Sequence, residues 1–312
     1  MSSHQVTKRR PYTHSGMIER TGPGRIIFNI LNYGFMILFA VVCIAPMWHV
    51  LMASISDPRM LLTSTGILWK PIGEITLKGY QLVLQNKSIL LGYGNTIFYV
   101  LWSAVVGTFC TMVSGFLCSR KDFKLAGPLT MFIMFTMMFS GGLIPTYMVY
   151  RNLGLINNRL VLMIPGLMNA FYLIMMKSAF NQLDSGYEES AKLDGAGPLT
   201  ILFRVLAPLV KANLAVIIMF SVIMTWNSWY PASIYLPAAR EYWPLQLFMR
   251  EVLIQNDTTK ILSGTDAAKV ADYTSNLVKY CVTIVGTLPL LCAYPFAQKY
   301  FVTGVTLGGV KG

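Results

Sequence analysis

Long apolar runs, separated by polar connections, dominate the pattern of hydrophobic and polar positions along the chain. A helix of about 20 residues crosses the roughly 30 Å hydrocarbon layer of a bilayer. Six runs reach that length, at about residues 26–53, 93–118, 128–150, 158–180, 209–236 and 275–297. The pattern therefore predicts an all-α integral membrane protein with six transmembrane helices.

The polar segments around these spans give the domain plan. A tail at 1–25 precedes the transmembrane domain at 26–297, and a second tail follows at 298–312. The first apolar run exceeds the about 7–15 residues of a signal-peptide core, so we interpret it as an uncleaved span. A polar loop at 181–208 separates the fourth span from the fifth.

The distribution of Lys and Arg predicts the orientation. An even number of spans puts both termini on one side, and that side carries 14 Lys and Arg against 11 on the other. The 14 lie in shorter segments near the span ends, where the positive-inside rule applies. We therefore expect both termini and the 181–208 loop to be cytoplasmic.

Composition narrows the class of protein further. Apolar residues make up 54% of the chain and charged residues only 12%. The net charge of +12 comes from basic residues that flank apolar runs, which is typical of contact with anionic lipid rather than nucleic acid. The five cysteines lie inside apolar runs without a CxxC pair, so we interpret them as small buried hydrophobes.

The residue types needed for catalysis are sparse. His4, His14 and His49 have no second metal ligand nearby in the sequence. No GxxxxGK[ST] pattern occurs, so the chain has no recognisable phosphate-binding loop. The spans carry no series of acids suited to a proton relay. We therefore expect a chain that is not an enzyme and holds no cofactor or metal.

The loop at 181–208 contains a helix–turn–helix pattern. A first helix at Glu188–Leu193 would place two acids in its first turn, where they oppose the helix dipole favourably. Asp194 and Gly195 then break it, because glycine adopts a positive φ at no steric cost. Pro198 suits the first turn of a second helix. The predicted apolar face of that second helix comprises Leu199, Leu202, Phe203 and Leu206.

The letters EESAKLDGAG in this loop, followed by Leu206-Ala207-Pro208-Leu209, resemble the EAA coupling motif of bacterial ABC-importer permeases. Aligned on Gly195, the EAA positions hold Glu189, Ser190 and Ala191, so Ser190 replaces the middle alanine. The resemblance implies a cytoplasmic coupling helix that docks into a groove on a separate ATPase. The implied ATPase-coupling residues are Glu188, Glu189, Ser190, Ala191, Asp194, Gly195 and Ala196.

The resemblance extends over most of the chain. The segments FSGGLIPTYMVYRNLGLINNRLVLMIPG, WPLQLFMR and YPFAQKYFVTGVTLGGVKG resemble the second permease subunit of carbohydrate importers, particularly the oligosaccharide subgroup of Gram-positive bacteria. This implies the type I ABC importer permease fold in the bacterial cytoplasmic membrane. It also implies a contact between the C-terminal tail and the ATPase, through Gly308, Gly309 and Lys311.

The same resemblance implies the partners and the activity. They are a second, non-identical permease, an ATPase dimer that holds ATP and Mg²⁺, and an extracytoplasmic solute-binding lipoprotein. The expected activity is import of oligosaccharides from polysaccharide breakdown, by alternating access driven by the ATPases. The alternatives are a permease for a non-sugar solute, a channel or a secondary transporter.

A cluster of aromatic residues near the outer end of the fifth span is a candidate substrate path. It comprises Trp226, Asn227, Ser228, Trp229 and Tyr230. These side chains would stack against a sugar and hydrogen-bond to it. Trp and Tyr also anchor helices at membrane interfaces, so both interpretations stay open at this point.

Overall fold

The computed structural model describes residues 23–254 and 271–308, which fold into helices without any strand among them. Contacts divide the chain into a short unit, Met1–His49, and a large unit, Val50–Gly312. The helices are α1 (Pro23–Ser54), α2 (Pro58–Thr63), α3 (Lys78–Gln85), α4 (Lys87–Trp102), α5 (Thr108–Ser119), α6 (Ala126–Met138), α7 (Leu143–Asn152), α8 (Leu160–Met163), α9 (Ala170–Asn181), α10 (Gly186–Leu193), α11 (Pro198–Thr200), α12 (Ala207–Leu209), α13 (Lys211–Trp226), α14 (Tyr230–Tyr235), α15 (Leu245–Ile254) and α16 (Ala271–Gly308). Two π turns, Ser103–Gly107 and Ile201–Leu206, join α4 to α5 and α11 to α12.

Four stretches of the described chain are long and apolar enough to cross a membrane as single spans. They are Pro23–Ser54, Lys87–Ser119, Leu160–Asn181 and Ser275–Pro295. They coincide with the first, second, fourth and sixth predicted spans, although α16 continues to Gly308, beyond the predicted end at 297. The total reaches six only if each of two bent helix pairs also counts as one span. The count of six therefore stays a prediction.

The third predicted span, 128–150, is not one continuous helix. Helices α6 and α7 meet at an angle of 120°. The break falls at Gly142, whose φ of +84° is incompatible with a continuing right-handed helix. Pro145 then lies in the first turn of α7, where its missing N–H leaves no helical hydrogen bond unmade. The apolar run therefore predicted how long this segment is, but it did not predict that the helix direction changes at Gly142.

The fifth predicted span, 209–236, is shorter than expected. The stretch Pro198–Leu209 meets α13 at 85°, and α13 ends at Trp226. A new short helix, α14, starts at Tyr230 with Pro231 in its first turn. The aromatic cluster predicted inside this span therefore lies at and beyond the helix end.

Three clusters of buried side chains hold the large unit together. The first joins α4, α15 and α16 through residues such as Ile89, Leu245 and Leu277. The second packs α5, α9 and α13 against the π turn Ile201–Leu206. The third gathers α8, α14 and α15 around Val161 and Leu236. The second cluster connects the loop between the fourth and fifth predicted spans to α5, α9 and α13.

Gly92 allows the closest backbone approach between α4 and α15. A Cβ at this position would lie 2.8 Å from the Phe248 ring, 3.0 Å from Leu245 Cα and 3.2 Å from Leu245 N. Backbone atoms cannot rotate away as a flexible side chain can. Gly94, two residues along the same helix, has no atom within 4 Å of such a Cβ.

We expect Gly92→Ala to destabilise the protein by about 1–3 kcal/mol, because α4 and α15 must move apart. Gly94→Ala is the matched control, and it should be neutral or slightly stabilising because Ala favours the helix. Thermal unfolding of the two purified variants in the same detergent measures the difference. Equal melting temperatures would contradict the packing described for Gly92.

Candidate functional site

The loop between α9 and α13, residues 182–210, is termed the interspan segment. Its first helix, α10, begins after Asp184, whose Oδ1 accepts a hydrogen bond of 2.8 Å from Gly186 N–H. The helix ends at Leu193, and Gly195 follows with φ of +79°. Ala196 N–H donates to Ala191 O at 2.9 Å and Gly195 N–H donates to Lys192 O at 3.0 Å. These two bonds form a Schellman cap, so the predicted glycine turn is confirmed.

The second half of the interspan segment packs into the membrane domain. Pro198 occupies the first turn of α11, as predicted. The predicted apolar face is only half right: Leu202 and Leu206 are buried, but Leu199 and Phe203 are exposed. Because a π turn holds one more residue than an α turn, the register rotates and Ile201 becomes buried instead. These buried side chains pack in the cluster that contains Phe116, Met176 and Phe180.

An ion-pair network ties α10 to the turn after α5. The Glu188 carboxylate pairs with the Arg120 guanidinium, and it also lies 3.0 Å from Lys192 Nζ. Lys192 Nζ lies 3.5 Å from Asp122 Oδ2. The Arg120 guanidinium stacks over the Phe116 ring, 4.6 Å from its centroid. Burial lowers the pKa of Arg120, and the nearby Asp122 carboxylate opposes that shift. A shielded pair of this kind is screened less by salt than an exposed one.

The predicted coupling residues fall on two faces. Glu188, Ala191 and Ala196 are partly buried towards the membrane helices. The others are exposed, and so are three large side chains that the sequence analysis did not assign to coupling. The exposed face of the interspan segment comprises Tyr187, Glu189, Ser190, Leu193, Asp194, Gly195 and Leu199. Leu193 is 89% exposed and Leu199 is 67% exposed, which leaves apolar surface available to a partner.

A cavity of about 350 Å³ opens between α4, α9 and α13. Its wall includes hydroxyl, amide and phenol groups beside apolar side chains. The polar residues in the wall are Tyr99, Ser103, Asn169, Tyr172, Ser221, Thr225 and Ser228. Asn169 Oδ1 also accepts hydrogen bonds from the first backbone N–H groups of α9, at 2.9 and 3.3 Å. The cavity offers the mixture of apolar and hydrogen-bonding groups that small-molecule sites use.

Sequence reasoning named Ser228 but missed the other cavity residues, although one local signal pointed to them. Ser221, Thr225 and Ser228 recur at the spacing of one helix face. Polar residues on one face of a transmembrane helix face other helices or a water-filled space more often than lipid. The remaining wall residues come from other spans, and no local pattern connects them.

Of the predicted substrate-path cluster, only Ser228 lines this cavity, together with its neighbours Thr225 and Pro231. Asn227 Nδ2 donates to Ile223 O at 2.9 Å, which caps the end of α13. Trp229 lies beneath the Arg250 guanidinium at 4.1 Å, and Tyr230 contacts Trp229 edge-on. Asn227, Trp229 and Tyr230 therefore alternate along the chain with residues of the cavity wall but do not form part of that wall.

Trp226 is part of the packed interior. Its side chain is buried, and its Nε1 donates to Gly286 O at 3.2 Å. The neighbouring Tyr93 hydroxyl donates to Val285 O. Pro289 has no N–H for the carbonyl four residues earlier, Val285 O, so these two donors satisfy the backbone of α16 near its proline. Trp226 thus has a structural role, and its ring is unavailable for stacking in this conformation.

Comparison with known proteins assigns the family. Residues 104–306 match the model of the binding-protein-dependent transport system inner membrane component. The chain belongs to this family. It is therefore a permease subunit of an ABC importer and a multi-pass protein of the plasma membrane. Members of this family act with a partner permease, an ATPase and a solute-binding protein.

Two relatives from Bacillus subtilis illustrate the similarity of this permease subunit to characterised sequences. The polygalacturonan/rhamnogalacturonan transport system permease protein YtcP is 33% identical over 92% of the chain and 99% of the relative. The galactooligosaccharides transport system permease protein GanQ is 28% identical over 92% of the chain and 96% of the relative.

The fold of the permease subunit is also similar to a solved structure. A chain in the crystal structure of a bacterial ABC transporter that imports the acidic polysaccharide alginate superimposes with a TM-score of 0.80 and 28% identity. The match covers 90% of this chain and 98% of that one.

The C-terminal tail residues predicted to contact the ATPase lie at the end of the described chain. Gly308 is the last residue of α16, whereas Gly309 and Lys311 lie outside the described residues.

We expect Trp226→Ala to destabilise the permease by about 3–5 kcal/mol, because it opens a cavity and removes the hydrogen bond to the Gly286 carbonyl. Trp226→Phe should cost less, about 1–3 kcal/mol, since mainly the hydrogen bond is lost. Trp229→Ala is the control, because its ring is only partly buried. Membrane level and thermal stability of the purified variants measure the effect. A stable Trp226→Ala protein with reduced uptake would instead support a role in the substrate path.

Proposed function

We propose that this chain is one of two non-identical permease subunits in a type I importer, with both termini and the interspan segment in the cytoplasm. The exposed face of the interspan segment then docks on an ATPase dimer that binds ATP and Mg²⁺. The exposed Leu193 and Leu199 support this, because large apolar side chains left in solvent are suited to burial against a partner. Glu189, beside them, is the exposed acid of the pair that begins α10.

The contacts behind this face suggest how movement of the ATPases reaches the solute. Glu188 ties α10 to Arg120 at the end of α5, and the second buried cluster ties the rest of the segment to α9 and α13. These helices carry cavity residues such as Tyr172 and Ser221, and Ser103 lies in the turn before α5. A displacement of the exposed face would therefore move the cavity walls together with it.

This coupling route depends on the backbone at Gly195. We expect Gly195→Val to abolish uptake or reduce it strongly, because a β-branched residue is strained at φ of +79°. The space around a Cβ there is open, so the effect should come from the backbone alone. Gly195→Asn should retain more function, since Asn tolerates this region of φ.

Gly197→Val is the matched control for this experiment. Gly197 has ordinary extended dihedrals, φ −73° and ψ 164°, and equally open space around a Cβ. Uptake, co-purification of the ATPase and hydrolysis stimulated by loaded binding protein should be measured in one preparation. Normal membrane levels with lost stimulation in Gly195→Val alone would support the coupling role. Equal behaviour of the two valine variants would contradict it.

The proposed solute is an acidic oligosaccharide released from a uronic-acid polysaccharide and delivered by an extracytoplasmic binding lipoprotein. The cavity between α4, α9 and α13 carries this proposal, because its hydroxyl, amide and phenol groups suit a polyhydroxylated solute. Two relatives support the acidic class, since their names refer to polygalacturonan/rhamnogalacturonan and to alginate. The name of a third relative, which refers to galactooligosaccharides, makes neutral sugars the competing outcome.

Uptake by the complete transporter in proteoliposomes tests the substrate class. Oligogalacturonides and neutral galactooligosaccharides of equal length should be compared with the same binding protein and ATP. We expect ATP-dependent accumulation of the acidic oligomers and little of the neutral ones. Accumulation of the neutral oligomers alone would overturn the acidic class. Leakage that needs neither ATP nor binding protein would favour a channel.

A further inference from the structure

Arg159 has an unusual set of contacts beside the cavity. Its guanidinium lies 5.0 Å from the centroid of the Phe98 ring and 4.9 Å from that of Tyr242. One terminal nitrogen, Nη2, donates to Asn95 Oδ1 at 2.7 Å. The Nε atom is buried and has no hydrogen-bond partner. A buried donor without a partner is uncommon in native proteins and needs an explanation.

The neighbouring Arg240 shows what an arginine in this region does when an acid is available. Its two terminal nitrogens bind the two Glu251 carboxylate oxygens at 3.0 and 2.6 Å. Within the described ranges 23–254 and 271–308, Arg159 has no such carboxylate partner. Aromatic contact uses the face of a guanidinium, whereas its N–H donors lie in the plane. Arg159 is therefore held in place with part of its fork uncommitted.

Rigid contacts connect Arg159 to the cavity wall. Tyr99 lines the cavity and interacts electrostatically with Arg159. The Tyr99 hydroxyl donates to Tyr242 O at 2.8 Å, and Asn95 Nδ2 donates to Glu241 O and Trp243 O at 2.8 and 3.0 Å. Arg159 also lies only two residues before Val161, another wall residue. Arg159 is not itself part of the wall, but its cation is held beside the wall residue Tyr99.

We propose that Arg159 recognises a carboxylate of the solute at the end of the cavity that the charge distribution predicts to be extracytoplasmic. A planar guanidinium binds carboxylates through paired N–H donors, which a lysine cannot reproduce. This inference rests on the acidic substrate class proposed above. It makes Arg159 a specificity-determining residue, because a neutral sugar offers no charge to this group.

The test compares oligogalacturonides with their methyl esters, which have the same rings but no charge. Arg159→Gln should reduce uptake of the acid form by roughly 10- to 100-fold, the loss expected for a hydrogen-bonded charge. The loss should appear mainly as a raised KM, with uptake of the ester within about twofold of wild type. The same binding protein is used in every preparation. Its own preference for acid or ester therefore cancels when uptake by the variant is divided by uptake by the wild type.

Two further variants separate recognition from structure. Arg151→Gln removes a positive charge from an exposed position at the end of α7, and it should leave uptake of both forms unchanged. Arg159→Lys keeps the charge without the fork, so it should retain acid uptake between that of Arg159→Gln and wild type. If the wild type does not import the ester, acid uptake by the Lys and Gln variants alone decides between a role in recognition and a structural role.

Several outcomes overturn the proposal for Arg159. Equal losses for acid and ester, or equal losses in the Lys and Gln variants, would assign it a structural role. Wild-type uptake of the acid in Arg159→Gln would remove it from recognition while leaving the substrate class intact. Failure of the wild-type transporter to import the acid form would instead refute the substrate class itself.

Discussion

A backbone N–H or C=O group inside a bilayer finds no water, so every break in a helix needs a replacement partner from the protein. A backbone group buried inside the protein has the same need wherever it lies, and this need explains the polar face of α4. Thr96 Oγ1 accepts a hydrogen bond of 2.8 Å from Leu245 N–H, and Asn95 and Tyr99 donate to carbonyls at 241–243. The irregular segment before α15 is therefore satisfied by a single neighbouring helix. Of these three side chains, Tyr99 also lines the cavity, so one residue both satisfies the backbone and contributes to the polar wall.

In the function proposed above, the interspan segment binds a soluble partner while it remains attached to the membrane domain. Its two faces divide these tasks. Charge pairing and buried Leu and Ile side chains hold one face, while Glu189 and large apolar side chains remain on the other. Glu188 and Glu189 are adjacent in sequence but about 100° apart around a helix. Their different environments follow from that angle.

Much of this architecture was predictable from the sequence, because hydropathy and glycine chemistry are local. The positions of the long apolar helices, the turn at Gly195 and the helix start at Pro198 depend on residues close together in the chain. The bends in the third and fifth predicted spans could not be predicted, because an apolar run has the same composition whether its helix is straight or broken. The burial of Ile201 instead of Leu199 depended on a π turn that no residue pattern marked.

The functional assignments that the sequence left open depend on contacts between distant residues. Trp226 binds a carbonyl 60 residues away, and Arg159 binds an amide 64 residues away. From the sequence alone, Trp226 is equally consistent with a ring that stacks on a sugar and with a buried hydrogen-bond donor. Only the packing of α13 against α16 distinguishes the two. The cavity also depends on distant contacts, because its wall combines small groups of polar residues from several spans.

The site around Pro289 has a mechanical consequence. Tyr93 of α4 and Trp226 of α13 converge on consecutive carbonyls, Val285 and Gly286, of α16. A proline removes one hydrogen bond from the helix, which makes bending easier there than elsewhere. Since side chains from two other helices supply the donors, bending at this point need not expose a carbonyl to lipid. The three helices thus meet at one point of α16, where a bend would leave both carbonyls with a hydrogen-bond donor.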